Sequence, residues 1–472
     1  MGIEAEPAKI EPDEGGAAYL DPGPGGVANA RTATVSFKPE PVAIRTGLSC
    51  PRVAGRFPWV RHAPAPDTVS LPAKKSRSSQ AGRTGPVPAH QLICMNYPVV
   101  IVGGGLAGLL SARLLHQAGI EFLLLEARER PGGRILTVDA VGQPGADGFD
   151  LGPSWFWPAM QPGMQALVDE LGLASFPQHD AGEFVFQRSR AEPPARYPGL
   201  PQEPPSMRLA GGTGALIEAL VAQLPASTIR LGQRVTGLEQ RGAGVEVACV
   251  DGSGTSQQIR AQQLILALPP RLLAASVSFA PALDAGTAGR WRSTPTWMAP
   301  HAKFFAVYET PFWRAAGLSG GAQSLVGPLV EIHDATSASG RAALFGFVGV
   351  AAAQRASVGR EALIAAAVRQ LQLLFGAPAG QPTATLLKDW AADPLTATAD
   401  DQSAGGHPEP AAEPWITGAW QDRIVLAGSE TSPVAPGYLA GAVDAAQLAV
   451  QEVRQRLGRA DAMSAAGASQ ER

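Results

Sequence analysis

The chain has 472 residues, 45% of them hydrophobic, and a formal net charge of −3: enough apolar material for two packed domains, and no basic excess of the kind that binds nucleic acid. Its three cysteines, Cys50, Cys94 and Cys249, are scattered, with neither metal-ligand spacing nor a disulfide framework, which points to a reducing, cytoplasmic setting. No apolar run reaches the ~20 residues that a membrane helix needs, so no membrane partner is expected.

Residues 1–94 are rich in Pro, Gly, Ala and Arg, carry no sustained hydrophobic period and include a basic stretch at 74–83, the composition of a disordered leader. They lack the apolar core of a secretory signal, and Glu4, Glu6, Glu11, Asp13 and Glu14 are out of place in a mitochondrial presequence. Glu6 also stands where N-myristoylation wants Ser or Thr. Met95 directly precedes the first apolar strand, so the leader is read as dispensable and its start as over-called.

The organising stretch is 98–137. Val99, Val100, Ile101 and Val102 form an apolar, β-branched run that breaks into Gly103-Gly104-Gly105-Leu106-Ala107-Gly108. Residues 106–118 then have helical spacing up to Gly119, and 120–125 is a second apolar run ending at Glu126. Strand, glycine turn, helix and strand in that order make a βαβ unit with a G-x-G-x-x-G phosphate cradle. Gly103 permits the turn, Gly105 the close approach of a pyrophosphate and Gly108 close helix packing, while the helix start offers free N–H groups and a positive dipole end. Glu126 is spaced to reach a ribose hydroxyl, which favours FAD or NAD over a 2′-phosphorylated cofactor. Gly103, Gly105, Ala107, Gly108 and Glu126 are thus candidate cofactor contacts.

The next residues, Ala127-Arg128-Glu129-Arg130-Pro131-Gly132-Gly133-Arg134, resemble the segment that follows the ribose acid in the flavin amine oxidase family, which includes monoamine and polyamine oxidases. The resemblance implies FAD, with Ala127, Arg128, Gly133 and Arg134 around its pyrophosphate. Phe149-Asp150-Leu151-Gly152-Pro153-Ser154-Trp155 is similar to the family's next cofactor-facing turn, which implies Gly152, Ser154 and Trp155 at the flavin. A helix is expected over 165–173; 176–205 holds many prolines and few regular runs; 208–214 leads into a helix over 215–224. Residues 229–250 alternate across a turn at 242–244, with Asp251-Gly252 as a hairpin signal, so a small antiparallel meander is expected. The family implies an adenine contact at Val235. The buried strand 264–268, stopped by Pro269-Pro270, resembles the family's third cofactor strand and brings Ala267 to the cofactor.

On a strand through 297–308, His301, Lys303, Phe305 and Val307 share one face, and Ala302, Phe304, Ala306 and Tyr308 the other. A lysine at a strand end is ordinarily a snorkelling surface residue. Followed by Pro311-Phe312-Trp313-Arg314 and Gly317, however, Lys303 resembles the family's lysine that holds a water against flavin N5. The run 344–350 and the helix 360–375, closed by Gly376, read as scaffold. Lys388-Asp389-Trp390-Ala391-Ala392-Asp393-Pro394 is similar to the family's tryptophan and acid-proline turn, which implies Trp390 near the flavin; by itself it reads as a core aromatic. Two departures follow. Ala399 matches the cysteine that monoamine oxidases join to flavin, and Asp400 matches one wall of their aromatic cage, so the resemblance implies non-covalent FAD and a cage without its second tyrosine. The strand 423–427, with Gly428-Ser429-Glu430-Thr431 and Pro436-Gly437-Tyr438-Leu439-Ala440-Gly441-Ala442, resembles the family's closing motif. It implies Gly428, Glu430, Tyr438 and Leu439 at the cofactor, with Tyr438 as the retained cage aromatic and a helix start aimed at the flavin pyrimidine.

The expected architecture is α/β: a Rossmann-like FAD-binding domain assembled from 95–160, 206–275 and 415–460, an α+β substrate domain from 161–205 and 276–414, and a flexible tail at 461–472. The expected activity is FAD-dependent oxidation of a small-molecule amine by hydride transfer to flavin N5, with Lys303, Tyr438 and Trp390 as the catalytic group. Reoxidation by O2 would give H2O2, and the imine would hydrolyse to aldehyde or ketone plus ammonia. Three alternatives stay open: a flavin desaturase or dehydrogenase, an L-amino-acid oxidase using Arg290, Arg292, Arg314 or Arg341 for the carboxylate, and a non-catalytic flavin-binding protein. The partners expected are the amine and O2, with no metal and no nucleic acid, and a homodimer left open. A chain begun at Met95 is expected to retain FAD through gel filtration, read by flavin absorbance; a colourless product would show that the leader is required.

Overall fold

The computed structural model describes residues 95–199, 201–403 and 406–470, so the expectations for the leader fall outside the described residues. Strand β1 (Met95–Val102) lies parallel to β2 (Phe122–Leu125), and helix α1 (Leu106–Gln117) crosses between them. Side chains alternate along a strand, so Val99 and Ile101 enter the core beneath α1 with Leu109 and Leu110, while Val100 and Val102 enter the core on the opposite face with Leu123 and Leu125. A strand buried on both faces has no polar positions to alternate with, which is why this run is continuously apolar.

The sheet grows outward from β1. Strand Ser256–Leu266 pairs parallel to β1 along most of its length; on its other side, its first half meets the hairpin strand Gly244–Val250 and its last three residues meet Ile424–Leu426. One 11-residue strand therefore serves both the meander and the parallel sheet. The hairpin partner Arg234–Arg241 and the short strands Ile229–Arg230 and Ser278–Ala280 complete eight strands. The helices Pro162–Glu170 and Gly214–Ala222 and the long helix Leu439–Gln470 join α1 on one face.

A second, seven-stranded sheet runs in the order Ala384–Asp389, Ala302–Tyr308, Ala342–Val348, Leu329–Asp334, Leu318–Ser324, Glu183–Gln187 and Ala195–Pro198. In Ala302–Tyr308 the alternation divides two cores. Phe304, Ala306 and Tyr308 face the helix Arg360–Phe375, while Phe305 and Val307 face Val138, Phe149 and Leu151. Lys303 lies on the second of these faces, which closes over the 149–155 turn.

Several boundaries differ from the sequence reading. Met164, Leu167 and Val168 of Pro162–Glu170 are buried with α1, and Trp291 of the helix Ala285–Ser293 is buried with β2, so both segments pack with the first sheet rather than the second. Glu183–Gln187 and Ala195–Pro198, read from sequence as irregular, pair at the rim of the second sheet, and Ala195–Pro198 is exposed throughout. An edge strand needs little apolar alternation, and Pro198 is tolerated there. The last helix continues to Gln470 through 461–470, where a flexible tail was expected; the stretch is rich in alanine, the strongest helix former.

A Cβ on Gly108 would lie 1.9 Å from the Gly103 carbonyl oxygen, in rigid backbone. Gly108→Ala is therefore expected to cost ~2 kcal/mol or more, read as a lowered thermal midpoint. An unchanged midpoint would mean that α1 does not need to sit this close.

Candidate active site

Segments from the first strand to the last helix close around one cavity of about 450 Å³. At one end lies the glycine turn. Gly103 has φ +104°, and a Cβ there would meet the Ala267 oxygen at 2.7 Å, whereas at Gly105 nothing lies nearer than 3.8 Å. The protein's own backbone thus requires Gly103 and Gly108, and Gly105 leaves space open toward the cavity. The first amides of α1 have no partner within the helix, and Leu106 and Ala107 line this end. Glu126, buried at the end of β2, accepts from the Gly104 N–H at 2.6 Å and the Arg128 N–H at 2.8 Å, and it borders the same space. Unpaired amides, an open glycine and a fixed acid fit a dinucleotide.

The loop after Glu126 folds back over this turn, with the Gly132 N–H bonded to the Gly104 oxygen at 2.7 Å. Arg130 donates to the carbonyls of Pro131, Gly133 and Ile135 and so fixes the loop's shape. Arg128 lines the cavity, but its charge is taken up by Asp393 at 2.8 Å, which joins the loop to the Trp390 turn. Arg134 pairs with Glu430 at 2.6 Å and 3.1 Å and also donates to Ser429 and to the Trp297 carbonyl.

The other end of the cavity is aromatic. Lys303, 4% exposed, donates to the carbonyls of Gly152 at 2.6 Å and Asp150 at 3.3 Å and to Ser154 Oγ at 2.9 Å. Its ammonium also lies over the rings of Phe345, Phe347 and Trp155, at 4.7–5.9 Å. Burial pushes the ammonium down to about 7, against the pull of the Asp150 carboxylate and with a further push from Arg208. Trp390 is buried and donates from Nε1 to the Leu151 carbonyl at 2.9 Å. Tyr438, at the start of the last helix, touches Trp157 and Trp297, with ring centroids 6.1 and 6.3 Å away.

Of the candidate residues, Gly103, Gly105, Ala107, Glu126, Ala127, Arg128, Gly133, Arg134, Gly152, Ser154, Trp155, Val235, Ala267, Lys303, Trp390, Gly428, Tyr438 and Leu439 all line this cavity. Gly108 and Glu430 do not: Gly108 sits behind Gly103, and Glu430, fully buried, stands behind Arg134. Lys303 differs from expectation in its partners, since its three N–H donors already have acceptors in the 150–154 turn. Ala399 and Asp400 are exposed and off the cavity, and Cys249, the free cysteine among the described residues, is buried in the meander. Sequence reasoning missed Trp157, Trp297, Met298, His301, Gln233 and Arg234, which also line the cavity. Trp157 stands in no periodic run, and Trp297, read from sequence as the start of a strand through 297–308, lies in the segment before the observed strand Ala302–Tyr308, so only the fold could single them out. Among the described residues no helix is long and apolar enough to cross a membrane, and no His/Cys/Asp/Glu group is placed to hold a metal.

The sequence profile of flavin containing amine oxidoreductases matches residues 200–454, more than half of the chain, and that of NAD(P)-binding Rossmann-like domains matches 101–171. A Mycobacterium tuberculosis protein named as a flavin-containing monoamine oxidase, AofH, is 27% identical over 459 residues, spanning 75% of this chain and 96% of its own. Over a shorter stretch of 90 residues, 19% of this chain and 17% of the relative, putrescine oxidase of Kocuria rosea is 43% identical. Among solved structures, putrescine oxidase bound to putrescine superposes with TM-score 0.64 at 21% identity, covering 77% of this chain and 100% of its own. Cyclohexylamine oxidase from Brevibacterium oxydans superposes with TM-score 0.63 at 20% identity, covering 77% and 99%. At these identities the structural likeness is one of fold.

Removing the partner of a buried charge is costly, so Arg134→Ala is expected to lower stability at pH 7 by about 3–5 kcal/mol. Burial raises the Glu430 carboxyl, but the Arg134 charge and hydrogen bonds from Arg134, the residue's own N–H and Ser429 outweigh it and hold the group below the ordinary 4.5. Its contribution is full above that value and lost as pH falls through the depressed one. Chemical denaturation of both forms should therefore show the gap shrinking toward acid; a gap that widens there would contradict the assignment.

Proposed function

The chain belongs to the flavin-containing amine oxidoreductases, and we propose that it binds FAD without a covalent link and oxidises a small-molecule amine, its own residues serving the reaction as follows. What supports the reading is that Lys303, Trp390 and Tyr438, from three separate segments, line the same cavity as the glycine turn. The amides of α1 and the open approach at Gly105 would hold the pyrophosphate, Glu126 a ribose, and the Val235 segment the adenine. FAD, when bound, supplies the acceptor for the hydride equivalent from the amine's α-carbon and passes the electrons to O2, giving H2O2.

The remaining work falls to the protein. Trp155, Phe347, Trp390 and Tyr438 present aromatic faces that hold the amine's carbon skeleton and exclude water. Lys303 fixes the turn bearing Gly152, Ser154 and Trp155, and a group poised near pH 7 in a dry site can hold or release a proton within the working range. The start of the last helix, at Tyr438 and Leu439, points its positive dipole end into the cavity. The imine product then hydrolyses to an aldehyde or ketone and ammonia. An amino-acid oxidase would need a cation for the carboxylate, yet none of the four arginines weighed for it lines the cavity: Arg314 holds Asp334, Arg341 faces Asp147 and Arg290 pairs with Glu413.

The test is a panel of amines with a peroxide readout, followed by Lys303→Met. Above about pH 7 the lysine is neutral, so kcat/KM should rise through that value in the unaltered enzyme. In Lys303→Met that inflection should vanish, with kcat/KM lowered by ~10²-fold. An unchanged rate and pH profile would remove Lys303 from the mechanism.

A further inference from the structure

Of the two cage positions the resemblance implies, only Tyr438 lines the cavity, and the structure sets two other rings beside it. His407, its centroid 4.9 Å from that of Tyr438 and 4.3 Å from that of Trp297, is not part of the lining, whereas Trp297 is. Trp297, from the segment just before the Lys303 strand, lines the same end, its ring centroid 6.3 Å from that of Tyr438 with the planes at 52°. Four features hold it there. Its N–H donates to Glu430 Oε1 at 3.2 Å, and its carbonyl accepts from Arg134 Nη1 at 3.2 Å, so the buried ion pair clamps its backbone on both sides. A Cβ on Gly437, whose φ is +81°, would lie 2.7 Å from the Trp297 Cβ, so the glycine beside Tyr438 makes the approach possible. The next residue, Met298, holds φ +63°, a conformation costly for a non-glycine residue and one that re-aims the chain at this point.

We propose that Trp297 is the second wall of the amine pocket and selects monoamines bearing an apolar, ring-sized substituent over diamines. This rests on the amine-oxidising reading. The charges at the cavity explain the second half of the selection. Glu126 is the one acid among the described lining residues, and both its oxygens are held by backbone amides at the glycine-turn end, whereas the lining side chains Arg128, Arg134, Arg234, His301 and Lys303 are all basic. A second ammonium on the substrate would be desolvated there without a counter-charge. An apolar ring, in contrast, would meet the faces of Trp297 and Tyr438.

The test uses FAD-loaded protein and α,α-dimethylbenzylamine, which has no hydrogen on the carbon bearing nitrogen and so binds without turnover. tert-Butylamine serves as the same head group without the ring. Binding is read from the perturbed visible absorbance of the flavin. The unaltered protein should prefer the ring amine by about tenfold or more. Trp297→Leu, which keeps apolar bulk, and Trp297→Ala should lose most of that preference, while Trp297→Phe should keep it; flavin content and thermal midpoint identify folded variants. In turnover, n-butylamine should exceed 1,4-diaminobutane in kcat/KM. A ring preference unchanged in Trp297→Leu, or absent from the unaltered protein while it oxidises n-butylamine, would overturn the inference and leave amine oxidation standing. Failure to oxidise any amine would instead overturn the reading on which it rests.

Discussion

Arg134 and Glu430 are 296 positions apart, and their ion pair joins the two ends of the fold at the cavity. A carboxylate with no exposed surface can stay charged only with a partner and several donors, and Glu430 has Arg134, the Ser429 hydroxyl and its own amide. Arg134 extends from the loop folded over the glycine turn, Glu430 precedes the last helix, and the Trp297 backbone bridges both. Placing this pair fixes the dinucleotide end of the cavity against its aromatic end.

A second constraint works at the opposite wall. The Lys303 ammonium draws in the carbonyls of Asp150 and Gly152 and the hydroxyl of Ser154, pulling the 149–155 turn onto the second sheet. The same burial that makes this contact dry also depresses the lysine's proton affinity. One side chain therefore serves architecture and chemistry together, as is common where a charged group is enclosed within a redox site.

What could be read from the sequence follows from how local each signal is. The βαβ unit and Glu126 were legible because strand, glycines, helix and acid fall within 30 residues and each has a physical reason for its place. The face alternation around Lys303 was legible from a period of two. Trp157 was not, because an aromatic residue outside a periodic run carries no address until the chain folds, and Trp297 was not, because the alternation read through 297–308 holds only from Ala302 onward. The edge strand Ala195–Pro198 escaped for a related reason: it is stabilised by pairing and buries none of its side chains, while its neighbour Glu183–Gln187 is too short, with Val185 as its one core hydrophobic, to show a clear period. Glu430 was recognised by its motif, but nothing in that motif distinguishes a residue that lines the cavity from one that stands behind it. Its position was set by Arg134, which the sequence places far away.

The central claim is that one cavity holds FAD from the glycine turn to Tyr438 and takes an amine against its redox end. Anaerobic mixing of the purified protein with a reactive amine tests it most directly. The account predicts that the visible flavin absorbance bleaches, then returns on admitting O2 with a matching amount of peroxide. A protein that takes up no flavin, or holds flavin that no amine bleaches, would contradict it.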